Sequence, residues 1–377
     1  MGATLHLSFA CAHLFFFVAL VVKPSPYRGL LFLPVAIFMY KVLMSSWHYS
    51  SPIGYTYACA SLGQLFAACD YILLTDVQRE LTFRKQTKPA YQLPLRQRIE
   101  WAANLAASVR GIGWNHEPRH ALPSSKPKTA RSEFIAQQLQ GLAWHLMAYE
   151  ISTAYTRGNP SFLKNGCSLA AHGFLRCVIN ITALAAAAVV HIDLPHRLLS
   201  IFSVATGLSD PEDCKPLFGS FFDAYSLTNI WGRVWHQLFR RIGISHGRFL
   251  AHRVLNLRKG SIASFLVQVY IAFLLSGLMH LAGDYALLGS WSAGGAMEFF
   301  LLQAVGITFE ISVLTIARRL GFSGQWKWVG YLWVVTWFTL TVPGWADPLF
   351  RAGMAEASQD LGILSGLLMK GWVLYRS

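Results

Sequence analysis

The sequence predicts an all-α polytopic membrane protein with about nine spans, bracketed by eight and ten. Composition is the first reason: of 377 residues, 54% are hydrophobic and only 13% charged, with a mean hydropathy of +0.39. A soluble domain of this length does not bury that much apolar surface. The second reason is segment length, because the apolar stretches run to about 20 residues, the length a bilayer core requires. They are apolar on all sides, whereas strands of a membrane barrel alternate polar with apolar. Only helices and closed barrels satisfy the backbone in hydrocarbon, so helices are left. The third reason is that the basic residues collect between the apolar stretches.

The elements follow in order. The stretch 4–22 has a weak n-region and no clear small-residue cleavage site before Lys23. It reads as a first span and signal anchor rather than a removed signal peptide. Stretches at 29–45 and 53–75 come next. Segment 76–133 then turns basic, with Arg79, Arg84, Lys85, Lys88, Arg96, Arg98, Arg110, Arg119, Lys126, Lys128 and Arg131. Spans are expected at 134–152 and 168–192, with an optional extra one near 197–208. Segment 209–260 reads as a second loop, basic from Arg233 to Lys259. Spans at 261–286, 293–317, 327–345 and 359–375 complete the count, with Arg318, Arg319 and Lys327 between the second and third of these. This count puts all three basic regions on one side, which the positive-inside rule makes the cytosol, leaving the N-terminus lumenal and the C-terminus cytosolic.

The whole of 1–377 therefore reads as one membrane-embedded domain with cytosolic loops at 76–133 and 209–260. A formal charge of +14 would suggest nucleic acid in a soluble chain. Confined to loops between spans, it points to no nucleic acid but to membrane lipid and an anionic cosubstrate. The six cysteines are scattered without a Cys-x-x-Cys pair and read as small core residues. No internal repeat of the transporter kind is visible.

Two motifs carry candidate chemistry. In Ser226–Arg240, SLTNIWGRVWHQLFR, helical spacing places Asn229, Arg233, His236 and Gln237 on one face beside Trp231 and Trp235. This predicts an interfacial helix near 226–240. A plain amphipathic anchor with Trp belts and snorkelling Arg is one reading. The mixture of Asn, His and Gln favours a chemical one. The second motif is Ser276-Gly277-Leu278-Met279-His280, inside the apolar stretch 261–286. An ionisable residue in a span is a functional candidate by default, set against a histidine that merely packs between helices. Ser276 lies one turn before His280, within reach of the ring or of the next helix. A third pattern, His116-Glu117-Pro118-Arg119-His120, has metal-ligand spacing, but Pro118 interrupts any helix there and no second pair of histidines matches it, so no metal site is expected.

With SLTNIWGRVWHQLFR and the intramembrane SGLMH together, the chain resembles the wax-synthase-like branch of the membrane-bound O-acyltransferases, and most closely fungal members that acetylate terpenoid or meroterpenoid alcohols. Arg110-Gly111-Ile112-Gly113-Trp114 is similar to a stretch in the same relatives. The resemblance implies acyl transfer from acyl-CoA to an alcohol, with His280 as general base and Asn229, Trp231, Arg233 and His236 as the polar partner motif near the acyl group. It departs from many relatives in carrying Asn229 where they have an acid, and Ile230 where Phe is usual.

The chemistry agrees with that implication. A hydroxyl attacks a thioester well when its proton leaves as the bond forms, and an imidazole of ordinary pKa about 6.5 suits that step. The oxyanion then needs preformed donors, for which Asn229, His236 or Trp231 are the candidates. Arg233, Arg240 and Arg241, with Trp235, Gln237 and Ser276 nearby, are the expected contacts of acetyl-CoA or acceptor. With Ser261 at the cytosolic face, a rise of about 1.5 Å per residue places His280 in the lumenal half, so acetyl-CoA must thread its acyl end inward. The expected function is acetyl transfer from acetyl-CoA, a cosubstrate and not a bound cofactor, to a hydrophobic alcohol of secondary metabolism, in a multi-pass protein of the endoplasmic reticulum. Long-chain wax-ester synthesis is the second enzymatic reading. A membrane transporter is the reading from another class, with Glu150, Glu298 and Glu310 as its few acidic relay candidates.

Overall fold

The computed structural model describes residues 2–48, 51–84, 86–118, 121, 129–322, 324 and 326–359. Among them the chain is mostly helical, and its one β interaction is an isolated bridge between Phe83 and Trp114. The longer helices are α1 (Gly2–Val21), α2 (Phe32–Ser46), α3 (Pro52–Ala68), α4 (Leu95–Ala107), α5 (Arg131–Arg157), α6 (Phe174–Ala205), α7 (Arg240–Arg248), α8 (Ile262–Leu288), α9 (Ala296–Arg319) and α10 (Lys327–Arg351).

Five segments among the described residues are long and apolar enough to cross a bilayer: Arg28–Ser46, Pro52–Leu74, Phe174–Ala205, Ile262–Leu288 and Ala296–Arg319, with Leu5–Val21 a shorter apolar helix. The described residues thus support five spans of the nine expected. Segments 134–152 and 327–345 are helical within α5 and α10, yet fall short of that apolarity. In α5, Gln137, Gln138, Gln140, His145 and Glu150 dilute the stretch. The span expected at 359–375 lies outside the described residues apart from Gln359. The optional span near 197–208 is no separate element, because α6 continues through Pro195 to Ala205.

The chain divides into two compact units, Met1–Arg119 with Gln237–Leu320, and His120–His236 with Gly321–Ser377. In the first unit, Ala12, Phe16, Leu20, Val35, Met39, Tyr71, Trp101 and Trp114 form the main core. Three long polar side chains close the end of α1. Arg28 donates to the carbonyls of Ala19 (2.9 Å), Tyr71 (2.9 Å) and Ile72 (3.4 Å). Gln78 donates to Leu20 O and Val22 O, and Arg98 to Val21 O. The last carbonyls of a helix have no partner within it, and in apolar surroundings an unsatisfied one is costly. The two carbonyls Arg28 takes from Tyr71 and Ile72 belong to a π-helical turn, Cys69–Leu74, that ends the α3 span.

The Arg110–Trp114 stretch is structural here. Gly111 and Gly113 have φ of 66° and 80°, values that favour glycine, and they bend the chain so that Gly113 O accepts from Arg84 N while Gly113 N donates to Glu117. Trp114 is then buried between Phe83 and Trp101. The neighbouring His116–Pro118 segment is a turn and not a helix, as the proline predicts. His120 lies outside the described residues.

The second unit pairs α5 with α6 and carries α10. Asn180 of α6 accepts from Tyr155 and Asn159 and donates to Leu169 O, while Asp347 of α10 accepts from Leu169 N. Large apolar side chains such as Leu146, Ile151, Leu199 and Leu340 stand outward, as lipid-facing helices require.

Candidate active site

His280 lies in α8, eighteen residues after Ile262, about 27 Å along the axis. Small residues bring α3 against α8 here: Ala58, Ala282 and Ala286 form a buried cluster with Leu43, Trp47 and Leu62 packed on it, the kind of surface that lets apolar helices approach. Gly283 belongs to that contact. A Cβ at this position would lie 2.7 Å from Cys59 Sγ and 2.8 Å from Tyr55 Cε2, so only glycine leaves room for both side chains beside His280.

The half-buried imidazole has three defined neighbours. Tyr55 Oη is 2.9 Å from Nδ1, and Cys59 Sγ, one turn further along α3, is 3.9 Å from the same nitrogen. Phe300 of α9 stacks on the ring at 4.8 Å between centroids and 9° between planes. Ser276, expected to reach the ring or the next helix, instead donates to Ala272 O in its own helix at 3.0 Å. A cleft of about 390 Å³ lined by Ser261, Ser264, Phe265, Gln268 and Ile311 opens near the start of α8. Gln268 is twelve residues, about 18 Å along the helix, from His280.

The Ser226–Arg240 motif does not form the single interfacial helix that its spacing predicts. Ser226 caps one turn, Leu227–Asn229, by accepting from Asn229 N at 3.0 Å. A π-helical turn, Ile230–Val234, follows and is closed by Trp235 N donating to Ile230 O at 2.7 Å. Trp235 is extended, with ψ 151°. The helix is overridden by a non-local contact: Gly219 N donates to Val234 O, and Gly219 sits against the Arg233 carbonyl where no side chain fits. Asn229, Arg233, His236 and Gln237 therefore do not share one helical face. Trp231 meets Trp235 and Phe338 of α10, and Phe218 stands edge-on to both Trp235 and His236. Arg233 is exposed.

Gln237, Arg240 and Arg241 fall in the first unit. Gln237 is buried and accepts from Arg240 at 2.8 Å, and burial lowers the Arg240 pKa. Arg241 is held in a buried ion pair. Its Nε is 2.8 Å from Asp70 Oδ2, its guanidinium lies over the Tyr71 ring at 4.6 Å, and Thr75 donates to the other Asp70 oxygen at 2.7 Å. This cation, expected to face a CoA phosphate, is committed to Asp70. Nearby, His116 is pushed down to about 4, first by burial and then by the Arg241 charge.

Sequence reasoning singled out His280 but not its neighbours Tyr55, Cys59 or Phe300, whose positions carry no local signal. Its search for acids within spans also passed over Asp70 and Asp284, both fully buried. Asp284 accepts from Ala296 N, at the start of α9.

Residues 214–302, spanning both motifs, match a family described as the membrane bound O-acyl transferase family. The acetyltransferase ple2 of Rhodocybe pseudopiperita is 39% identical over 81% of this chain and 81% of its own. The acetyltransferase eriL of Hericium erinaceus is 33% identical over 95% and 94%, and the acetyltransferase atnC of an Arthrinium species 31% over 68% and 64%. No solved structure matches the chain.

Proposed function

This chain belongs to the membrane bound O-acyl transferase family and is an O-acyltransferase, and from that premise we propose that it moves an acetyl group from acetyl-CoA to a hydroxyl of a hydrophobic secondary metabolite, with His280 as general base. The acceptor class in this reading is a terpenoid or meroterpenoid alcohol. Support for the acetyl donor comes from relatives that are named acetyltransferases and match over 81% and 94% of their own length. The base assignment is carried by one observation: His280 is a half-buried imidazole in an apolar helix, engaged at Nδ1 by a neutral hydroxyl.

In the proposed step His280 takes the alcohol proton as the oxygen attacks the thioester carbonyl. The tetrahedral intermediate collapses with breakage of the carbon–sulfur bond, and the imidazolium returns its proton to the departing CoA thiolate. The products are the acetate ester and free CoA, and the ring is regenerated. Arg233, which is exposed, is the proposed phosphate contact of CoA. Asn229 and His236 are the donors proposed for the acyl oxygen, each tested by replacement with alanine. The proposed topology keeps nine spans, basic loops at 76–133 and 209–260 in the cytosol, one acyltransferase domain over 1–377, and residence in the endoplasmic reticulum.

The test is release of CoA thiol by membranes given acetyl-CoA with a terpenoid alcohol. His280→Ala is expected to lower turnover by about 10²–10⁴-fold, the usual contribution of a general base, at unchanged protein level in the membrane. Undiminished release by His280→Ala removes the base assignment.

A further inference from the structure

We propose that Tyr55 is a positioning residue for His280, fixing by its hydroxyl which imidazole nitrogen carries hydrogen and which one meets the substrate. The inference rests on the reading of His280 as the base. In a neutral imidazole one nitrogen bears hydrogen and the other accepts. The hydrogen bond made at one nitrogen decides the state of the other.

Tyr55 Oη occupies Nδ1 at 2.9 Å, so Nε2 is the nitrogen that serves the acceptor alcohol. For Nε2 to receive a proton, Nδ1 must already carry hydrogen and donate it to Tyr55 Oη. The phenol hydrogen then needs its own acceptor. The Cys59 thiol, one turn along α3 and 3.9 Å from the same Nδ1, is the acceptor we assign to it. The relay therefore reads Nδ1–H to Oη, and Oη–H to Sγ.

The packing holds this arrangement from three sides. Phe300 lies flat on one face of the imidazole, which limits ring flipping. The missing side chain at Gly283 admits both Tyr55 and Cys59. The rings of Tyr55 and His280 are 6.2 Å apart between centroids and inclined at 39°, so the two meet at the hydroxyl and not through stacked faces. When Nε2 becomes protonated during turnover, the same Nδ1–H bond is made by a cationic donor and strengthens. The phenol thus favours the charged ring without placing a full negative charge in hydrocarbon.

The experiment compares four proteins in membranes: the unaltered chain, Tyr55→Phe, His280→Ala, and a chain with 3-fluorotyrosine at position 55. Phenylalanine keeps the ring and removes the hydroxyl. Partners that orient catalytic or metal-bound histidines are typically worth about 10–100-fold, so kcat is expected to fall by that factor with KM for acetyl-CoA and alcohol unchanged. Thermal unfolding in detergent is measured alongside, and a midpoint equal to that of the unaltered chain assigns the loss to the hydroxyl. Fluorination makes the phenol oxygen a poorer acceptor and a better donor with little change in shape. A fall in kcat with fluorotyrosine supports donation from Nδ1 to Tyr55, and an unchanged or higher kcat overturns it. If His280→Ala is inactive while Tyr55→Phe matches the unaltered chain, the Tyr55 proposal alone fails. If His280→Ala is fully active, the general-base reading fails first.

Discussion

His145 and His280 lie in long helices of this protein, one in each compact unit, and they are held in different ways. His145 of α5 has both nitrogens facing oxygen acceptors: Nδ1 is 2.8 Å from Gly141 O and Nε2 is 3.0 Å from Asp193 of α6. The same carboxylate takes Arg197, which also donates to Gln138. His280 meets a neutral phenol at Nδ1, with a thiol and a phenyl ring packed about the imidazole. A histidine within a membrane helix is therefore no sign of catalysis by itself. What separates the two is the kind of partner, a helix carbonyl and a carboxylate for His145 and a neutral phenol at Nδ1 for His280.

The sharpest way to break this comparison is to replace each histidine. His280→Ala is expected to cost about 10²–10⁴-fold in turnover, whereas His145→Ala leaves kcat of the folded protein within about twofold and lowers its thermal midpoint, because it strips a partner from the buried Asp193. Equal losses of turnover from both variants would erase the distinction. Next in size is the ion pair at the end of α3. Asp70→Ala strands Arg241, and removal of one partner from a buried pair typically costs about 3–5 kcal/mol, read as a lower unfolding midpoint in detergent. A smaller effect separates the two arginines of the motif. Arg233→Ala is expected to raise KM for acetyl-CoA several-fold with kcat unchanged, and Arg241→Ala to act on stability instead. The smallest concerns pH. His116 in the folded chain is pushed down to about 4, below the unfolded value near 6.5. The unfolded chain then binds more protons between those limits, and stability falls as pH drops through that window. His116→Gln should flatten the dependence of the unfolding midpoint between pH 6.5 and 4.

Much of the architecture was legible in the sequence, because the length and apolarity of a helix in lipid are local properties. His280 was legible for the same reason: a polar residue in a long apolar run stands out with no knowledge of its neighbours. Tyr55 did not stand out, since a tyrosine among the alanines and serines of α3 looks ordinary, and it meets its partner 225 residues later. The break at Trp235 was hidden in a similar way. The spacing of Asn229, Arg233 and His236 is helical, but the hydrogen bond from Gly219 to Val234 prevails over it. Arg241 was assigned to an anionic ligand on its charge alone, whereas Asp70, 171 residues earlier, holds it.

The carbonyls that α1 gives up to Arg28, Gln78 and Arg98 fix more than a helix end. Sliding α1 along its axis by even one residue would detach several acceptors from donors that are rooted in other segments, so its depth is pinned. Where lipid surrounds α1 and its thickness differs from the apolar length of the helix, the lipid must stretch or compress to fit, because the helix cannot shift to follow it.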